Sequence, residues 1–180
     1  MKMSYKALIL GICLVFGANV SAFEWKRVIC EELVYKGWKK LGVNKTPVGT
    51  DCTLNCMEFI PEGQTEEDFQ ELVNLSLYEY NSPEAAPKSM SEHLELVRSS
   101  TIRSYPSGYV KWNLIEQDEK NAIYEWQLLN EYSGVKPQHE LIRIAFKDGK
   151  RIWAIYYSEK KSTMDPEKRE KWIRLLREGL

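Results

Sequence analysis

The chain has few of the residues from which catalytic and metal sites are built. Its 180 residues include only two histidines, His93 and His139, and four cysteines. Two histidines are too few for a multi-histidine metal site. Cys52 and Cys56 have no histidine near them to complete a zinc shell, and their spacing is not the Cys-x-x-Cys of redox pairs. No complete catalytic motif occurs, and we expect neither a metal nor another cofactor.

A strong charge bias and internal repeats are missing as well. The formal net charge is −1, from 25 Lys and Arg against 26 Asp and Glu. A basic excess is the usual sign of nucleic-acid binding, so we expect no nucleic-acid partner. What the chain does have is aromatic residues, with 6 Trp, 10 Tyr and 5 Phe. They are ample for the core of a single domain.

The first 22 residues predict an export signal. Lys2 and Lys6 supply a positive start, residues 7–16 form an apolar core, and Val20-Ser21-Ala22 provides the small residues that a signal peptidase reads. We therefore expect cleavage after Ala22 and a periplasmic or extracellular location for the mature protein.

Two alternatives compete with cleavage after Ala22. A membrane anchor needs about 18–20 apolar residues, more than this run provides. Lipidation at Cys13 is disfavoured because Ile12 is bulkier than a lipidation motif normally allows. We expect one domain over residues 23–180, with no stable membrane anchor after cleavage.

Three cysteines remain after cleavage, Cys30, Cys52 and Cys56. In an exported protein they predict one disulfide and one free thiol. Cys52 and Cys56 can pair only across a tight turn, because four residues of strand separate Cα atoms by about 13 Å. A bridge from Cys30 to either partner is favoured, since a longer closed loop constrains the unfolded chain more.

Periodicity and turn signals predict an α+β fold, with helices packed on a mostly antiparallel sheet of about six or seven strands. The predicted order is β-β-α-β-α-β-β-β-β-α, although residues 24–45 fit helix and strand equally. The first helix begins at Thr65, with Asp68 at the capping-box position. The second covers 87–101, and the third follows Asp165.

The hairpin within residues 121–160 organises the sheet. Asp148-Gly149 is a strong two-residue turn signal, and it sets Lys147 opposite Lys150. The sheet should then bury one face and leave the other mixed. The predicted opposite pairs are Ile144 with Trp153, Ile142 with Ile155, Arg143 with Ala154, Leu141 with Tyr156, and His139 with Ser158.

One polar group in this sheet is a candidate site, made of Glu125, His139, Glu140, Arg143 and Tyr156. A histidine beside a carboxylate can act as a general acid or base, and a buried arginine can hold an anion. The structural alternative is that Glu125 or Glu140 pairs with Arg143 and only fixes the sheet. Neither serine nor cysteine lies beside the histidine as a nucleophile.

Several segments resemble a family of small exported proteins of Gram-negative bacteria. They are Glu58-Phe59-Ile60-Pro61-Glu62-Gly63-Gln64-Thr65, Tyr124-Glu125-Trp126, Gln138-His139-Glu140 with Arg143, and Trp172-Ile173-x-Leu175-Leu176. The likeness covers roughly residues 55–178 and is one of order and spacing. The element order is also similar to the PsbP-like α/β/α sandwich, a fold used for binding. The resemblance implies a fold and an exported location, and it transfers no catalytic residue.

Two classes of function follow from the sequence. The first is an exported, non-enzymatic binding protein whose partner is a protein or a small anionic ligand. The alternative is a secreted hydrolase that uses His139 with Glu125 or Glu140.

Export can be tested directly on the mature protein. Intact-mass measurement and N-terminal sequencing should find a chain that begins at Phe23, because the small residues 20–22 follow the apolar run. A different first residue, or lipid on Cys13, would contradict the prediction.

Overall fold

In residues 33–178, which a computed structural model describes, seven strands form one antiparallel sheet. Residues 33–35 are helical and precede the sheet. The elements that follow are β1 (Trp38–Val48), β2 (Cys52–Pro61), β3 (Glu71–Tyr80), α1 (Met90–Arg103), β4 (Val110–Gln117), β5 (Asn121–Leu128), β6 (Gln138–Asp148), β7 (Arg151–Glu159) and α2 (Pro166–Glu178).

The sheet consists of two meanders joined side by side. Its strand order is β1-β2-β3-β7-β6-β5-β4, and each neighbouring pair is antiparallel. α1 carries the chain from β3, in the middle of the sheet, to β4 at its edge. The prediction of an α+β fold with a mostly antiparallel sheet is confirmed.

Both faces of the sheet are buried, which the residue pattern of the β6–β7 hairpin did not predict. On the first face, here the α2 face, Trp172, Ile173 and Leu176 of α2 pack against the sheet. On the opposite α1 face, Met90 and Leu94 of α1 do the same. The expectation of a single buried side is wrong because a helix lies on each face. The sheet residues of the α1-face cluster are Ala122, Tyr124, Ile142, Ile144, Ile152 and Ala154.

The β6–β7 hairpin exists, but its register differs by one residue from the predicted one. Asp148 pairs with Arg151, so Gly149 and Lys150 are the turn residues. The Asp148 carboxylate accepts the backbone N–H groups of Lys150 and Arg151 at 2.9 and 3.0 Å, a common role for Asp at the first turn position. An irregularity between Phe146 and Asp148 changes the register by one residue between the turn and the rest of the hairpin. The observed opposite pairs are Ala145 with Trp153, Ile144 with Ala154, Arg143 with Ile155, Ile142 with Tyr156, Leu141 with Tyr157, and His139 with Glu159.

The helix predicted at Thr65 does not form. The backbone N–H of Asp68 donates to Thr65 Oγ1 at 3.2 Å, as the predicted cap requires. However, β3 already begins at Glu71, so only a single turn fits. Because a helix recovers the cost of nucleation only over several turns, the apolar residues that follow join the sheet instead.

Among the described residues, neither Cys52 nor Cys56 is bonded to another cysteine. Both lie in β2, where about 13 Å of strand separates them, well beyond the Cα spacing of a disulfide. This spacing excludes the Cys52–Cys56 bridge, and the favoured bridge from Cys30 stays a prediction, because Cys30 lies outside the described residues. Burial raises the pKa of both thiols, which favours the unreactive protonated form.

The predicted export signal, its cleavage site and part of the ambiguous stretch 24–45 also lie outside the described residues. From Trp38 onward that stretch is strand β1. Between residues 33 and 178, the helices are too short or too polar to cross a bilayer.

Candidate functional site

The sheet divides the five predicted site residues between its two faces. Glu125, His139 and Arg143 point to the α2 face, whereas Glu140 and Tyr156 point to the α1 face. The predicted pairing of Leu141 with Tyr156 would put Tyr156 on the face of His139 and Arg143, and that placement is wrong. A one-residue change of register exchanges the two faces of a strand, and the β6–β7 pairing differs by one residue.

Glu125 is the centre of the group on the α2 face. Its side chain is only 10% exposed. Oε1 accepts from Asn113 Nδ2 at 3.0 Å and from Arg169 Nη2 at 2.7 Å. Oε2 accepts from Arg169 Nε at 2.7 Å and from His139 Nε2 at 2.9 Å. A carboxylate offers about four acceptor positions, so these donors saturate it.

The contacts of His139 fix its tautomer. The backbone N–H of Met164 points at Nδ1 from 3.0 Å, and a backbone N–H can only donate. Nδ1 is therefore an acceptor without a proton, and Nε2 carries the proton that it donates to Glu125. With its side chain 1% exposed, His139 has both ring nitrogens engaged inside the protein.

The charge of Glu125 is stabilised by its donors. Desolvation alone would raise the pKa of this carboxyl group. The hydrogen bonds from His139, Arg169 and Asn113 outweigh it and hold the pKa of Glu125 well below its ordinary value. The hydrogen bonds to Glu125 hold the pKa of Arg169 above its ordinary value. The result is a buried ion pair that joins β5 to α2.

A second buried carboxylate, Glu159, holds the neighbouring residue of α2. The side chain of Glu159 is 3% exposed and forms a salt bridge with Lys168. Lys168 also contacts Glu71 at 3.1 Å, and the Tyr157 hydroxyl lies 3.0 Å from Glu159. Two successive basic residues of α2 are thus each anchored on a carboxylate of the sheet.

Arg143 contacts the other end of α2. Its guanidinium donates to the backbone carbonyl oxygens of Leu176 and Arg177, the latter at 3.2 Å. These carbonyls lie at the negative end of the helix, where a cation is stabilising. The predicted pairing of Arg143 with Glu125 or Glu140 is wrong. Glu125 is saturated by other donors, and Glu140 lies on the opposite face.

Glu140 is the main polar group of the α1 face. Its Oε2 accepts from Trp126 Nε1 at 2.8 Å, and its Oε1 accepts from Ser158 Oγ at 3.0 Å. Desolvation raises the pKa of Glu140, although both hydrogen bonds oppose the shift. The hydroxyls of Tyr78 and Tyr156 lie 3.0 Å apart on the same face. Burial, together with the charge of Glu140, raises the pKa of both hydroxyls.

Partly exposed aromatic residues extend from Glu140 to the end of the sheet at which the β5–β6 loop lies. The rings of Trp126 and Tyr105 lie 6.1 Å apart between centroids, and those of Tyr105 and Tyr132 lie 5.9 Å apart. The hydrogen bond from Trp126 joins this row to Glu140. We call the whole set the aromatic band: Tyr78, Tyr105, Trp126, Tyr132, Glu140 and Tyr156.

The band ends in an ordered tip between β5 and β6. Tyr132 and Val135, each 39% exposed, pair across a two-residue turn of Ser133 and Gly134. Both turn residues have positive φ, 49° and 81°, the conformation of tight hairpin turns. For serine this conformation is uncommon and costs free energy. The turn projects Tyr132 and Val135 towards solvent.

The sequence did not reveal the residues that complete the polar groups around Glu125 on the α2 face and around Glu140 on the α1 face. Arg169 is one of several basic residues on α2, and nothing in the helical pattern distinguishes it from its solvated neighbours. The backbone N–H of Met164 carries no sequence signal. Trp126 appeared only as part of a resemblance. Its partner could have been found from the β5–β6 pairing, which sets Trp126 directly opposite Glu140.

The two histidines do not combine into a metal site. His93 lies in α1, with its ring 5.9 Å from that of Phe146, and burial lowers the pKa of His93 to about 4. His139 is on the other face of the sheet. In the part of the chain that the structure describes, no cluster of three or more His, Cys, Asp or Glu is placed to hold a metal ion.

Comparison with known protein families, curated proteins and solved structures found no match to this chain.

The Glu125 ion pair makes stability depend on pH in a defined direction. The pKa of Glu125 is depressed in the folded protein, so its contribution is fully present above the unfolded-state pKa of about 4.3. That contribution is lost as the pH falls through the lower, folded-state pKa. We expect Glu125→Gln to cost about 3 kcal/mol of unfolding free energy at pH 7. The difference from wild type should shrink below about pH 4.

Denaturant unfolding of both proteins between pH 7 and pH 2.5 measures this difference. Glu170→Gln is the matched control, because it removes a 67% exposed carboxylate from the same arginine. It should change stability by less than about 0.5 kcal/mol. A constant difference between wild type and Glu125→Gln across this pH range would show that the ion pair does not stabilise the fold as described.

Proposed function

We propose that this protein is exported and acts as a non-enzymatic binding protein, with a partner protein that contacts the aromatic band. Export rests on the signal in residues 1–22. The resemblance to small exported proteins and to the PsbP-like sandwich agrees with this proposal but adds no independent evidence.

The observation that carries the proposal is the contrast between the two polar groups. On the α2 face, both nitrogens of His139 are engaged and Glu125 has four donors. A hydrolase of the kind that the sequence suggests needs His139 to accept a proton. Its acceptor nitrogen already takes the N–H of Met164, and α2 lies over the pair. The aromatic band, in contrast, is partly exposed throughout.

The composition of the band fits a protein partner. Tyrosine and tryptophan are enriched where proteins bind one another, because each offers a large apolar area and a polar tip. Three partly exposed aromatic rings in contact with one another, those of Trp126, Tyr105 and Tyr132, are unusual for a surface with no partner. The band also contains the carboxylate of Glu140, which favours a partner that presents a basic segment.

A small anionic ligand is the weaker proposal. It depended on Arg143 as an anion-binding side chain. Arg143 instead donates to the carbonyl oxygens at the end of α2, so binding an anion there would expose those carbonyls.

Site-specific photo-crosslinking in the native host tests the partner surface. A benzophenone side chain at Tyr132, at the tip of the band, should form one discrete adduct with a partner protein. The same side chain at Leu96 is the control, since Leu96 is 56% exposed on α1 and lies outside the band. Tyr105→Ala should weaken the adduct at position 132, because it removes the ring that packs on Tyr132.

Mass spectrometry of the adduct identifies the partner. The same adduct from both positions, or no adduct from position 132, would contradict the band as a partner surface.

A further inference from the structure

We propose that Glu140 anchors a binding site for a single organic cation, a primary ammonium or a guanidinium group. Within the proposed function, on which this inference rests, that group is a lysine or arginine side chain of the partner.

The first argument is the unused acceptor capacity of Glu140. Each carboxylate oxygen has two acceptor positions. Glu140 receives one hydrogen bond on each oxygen, from Trp126 and from Ser158. Glu125, on the other face, receives two on each. Glu140 can therefore accept two further donors from a ligand without losing those it has.

The second argument is charge. Glu125 and Glu159 are buried carboxylates, and each forms a salt bridge with a basic residue of α2. Among residues 33–178, no lysine or arginine forms a salt bridge with Glu140. Desolvation makes the negative charge of Glu140 unfavourable unless a cation compensates it. A ligand cation would compensate the charge of Glu140, as Arg169 and Lys168 of α2 compensate the carboxylates on the other face.

The third argument is the aromatic surroundings of Glu140. Trp126 donates to it, and Tyr124 and Tyr156, both directly opposite Ile142, lie on the same face two residues further along β6. Aromatic faces attract cations, most strongly where water is partly excluded. Rings beside one carboxylate are the combination that recognises ammonium and guanidinium groups.

The residues of the site are partly covered by the rest of the protein but are not sealed from solvent. Glu140, Trp126, Tyr156 and Ser158 are all partly exposed, unlike His139 on the other face. α1 lies towards the β4 edge of this face, where the guanidinium of Arg98 sits over Trp112 at 5.8 Å. A single carboxylate offers too few hard ligands for a tightly held divalent metal, so the expected occupant is an organic cation.

Binding of n-butylammonium, followed by the indole N–H signals in nitrogen-15 NMR spectra, tests the site. The Trp126 signal, assigned with Trp126→Phe, should shift saturably with n-butylammonium and with methylguanidinium. n-Butanol and butyrate, which have similar apolar parts but no positive charge, should bind at least about tenfold more weakly. Added salt should weaken the binding of n-butylammonium and leave that of n-butanol nearly unchanged.

Glu140→Gln tests the anchor, because the amide keeps the size of the side chain and removes its charge. It should weaken n-butylammonium binding about tenfold or more. Glu58→Gln is the matched control, since Glu58 contacts Asn74 in the same sheet and should matter less than twofold. Equal binding of n-butanol and n-butylammonium in the wild-type protein overturns the proposal even if Glu140→Gln does not fold. So does unchanged affinity in a folded Glu140→Gln.

The two proposals fail separately. A crosslinked adduct at position 132 together with no binding of n-butylammonium would leave the partner surface and overturn the cation site. Saturable n-butylammonium binding that depends on Glu140, without an adduct, would leave the cation site and overturn the protein partner.

Discussion

The ion pair between Glu125 and Arg169 is the interaction on which the arrangement of α2 depends. Burying a carboxylate is unfavourable unless its acceptor positions are filled and its charge is paired. Here Asn113, His139 and both sides of the Arg169 guanidinium fill them. Lys168, the residue before Arg169, pairs with the charge of Glu159. These contacts fix the position of α2, which then covers Tyr157 with the ring of Trp172, stacked at 3.9 Å between centroids.

This arrangement makes the two faces of the sheet chemically different. On the α2 face, every strong polar group described above has a partner within the chain, and His139 serves as a bridge between Glu125 and the backbone of Met164. On the α1 face, Glu140 has only neutral donors, and Trp126 and Tyr156 beside it are partly exposed. The contacts on the α2 face stabilise the fold, and the proposed partner surface is the aromatic band on the α1 face.

Local patterns predicted the elements but not their register or their tertiary partners. Asp148-Gly149 marked the β6–β7 hairpin correctly, but the carboxylate of Asp148 takes the turn N–H groups itself and moves the turn by one residue. That shift placed Tyr156 with Glu140 rather than with Arg143. The cap at Thr65 also forms locally, yet the sheet takes the residues that a helix would need. Arg169 could not have been found, because its role exists only once α2 packs on the sheet.

The protonation pattern of His139 tests the central claim, that this histidine is a structural bridge, most directly. Nitrogen-15 NMR at pH 7 distinguishes a ring nitrogen that carries a proton from one that accepts a hydrogen bond. With only two histidines in the chain, assignment is straightforward. The account predicts one fixed tautomer, with the proton on Nε2 and Nδ1 bonded to the N–H of Met164. A proton on Nδ1, or rapid averaging of the two nitrogens, would contradict it.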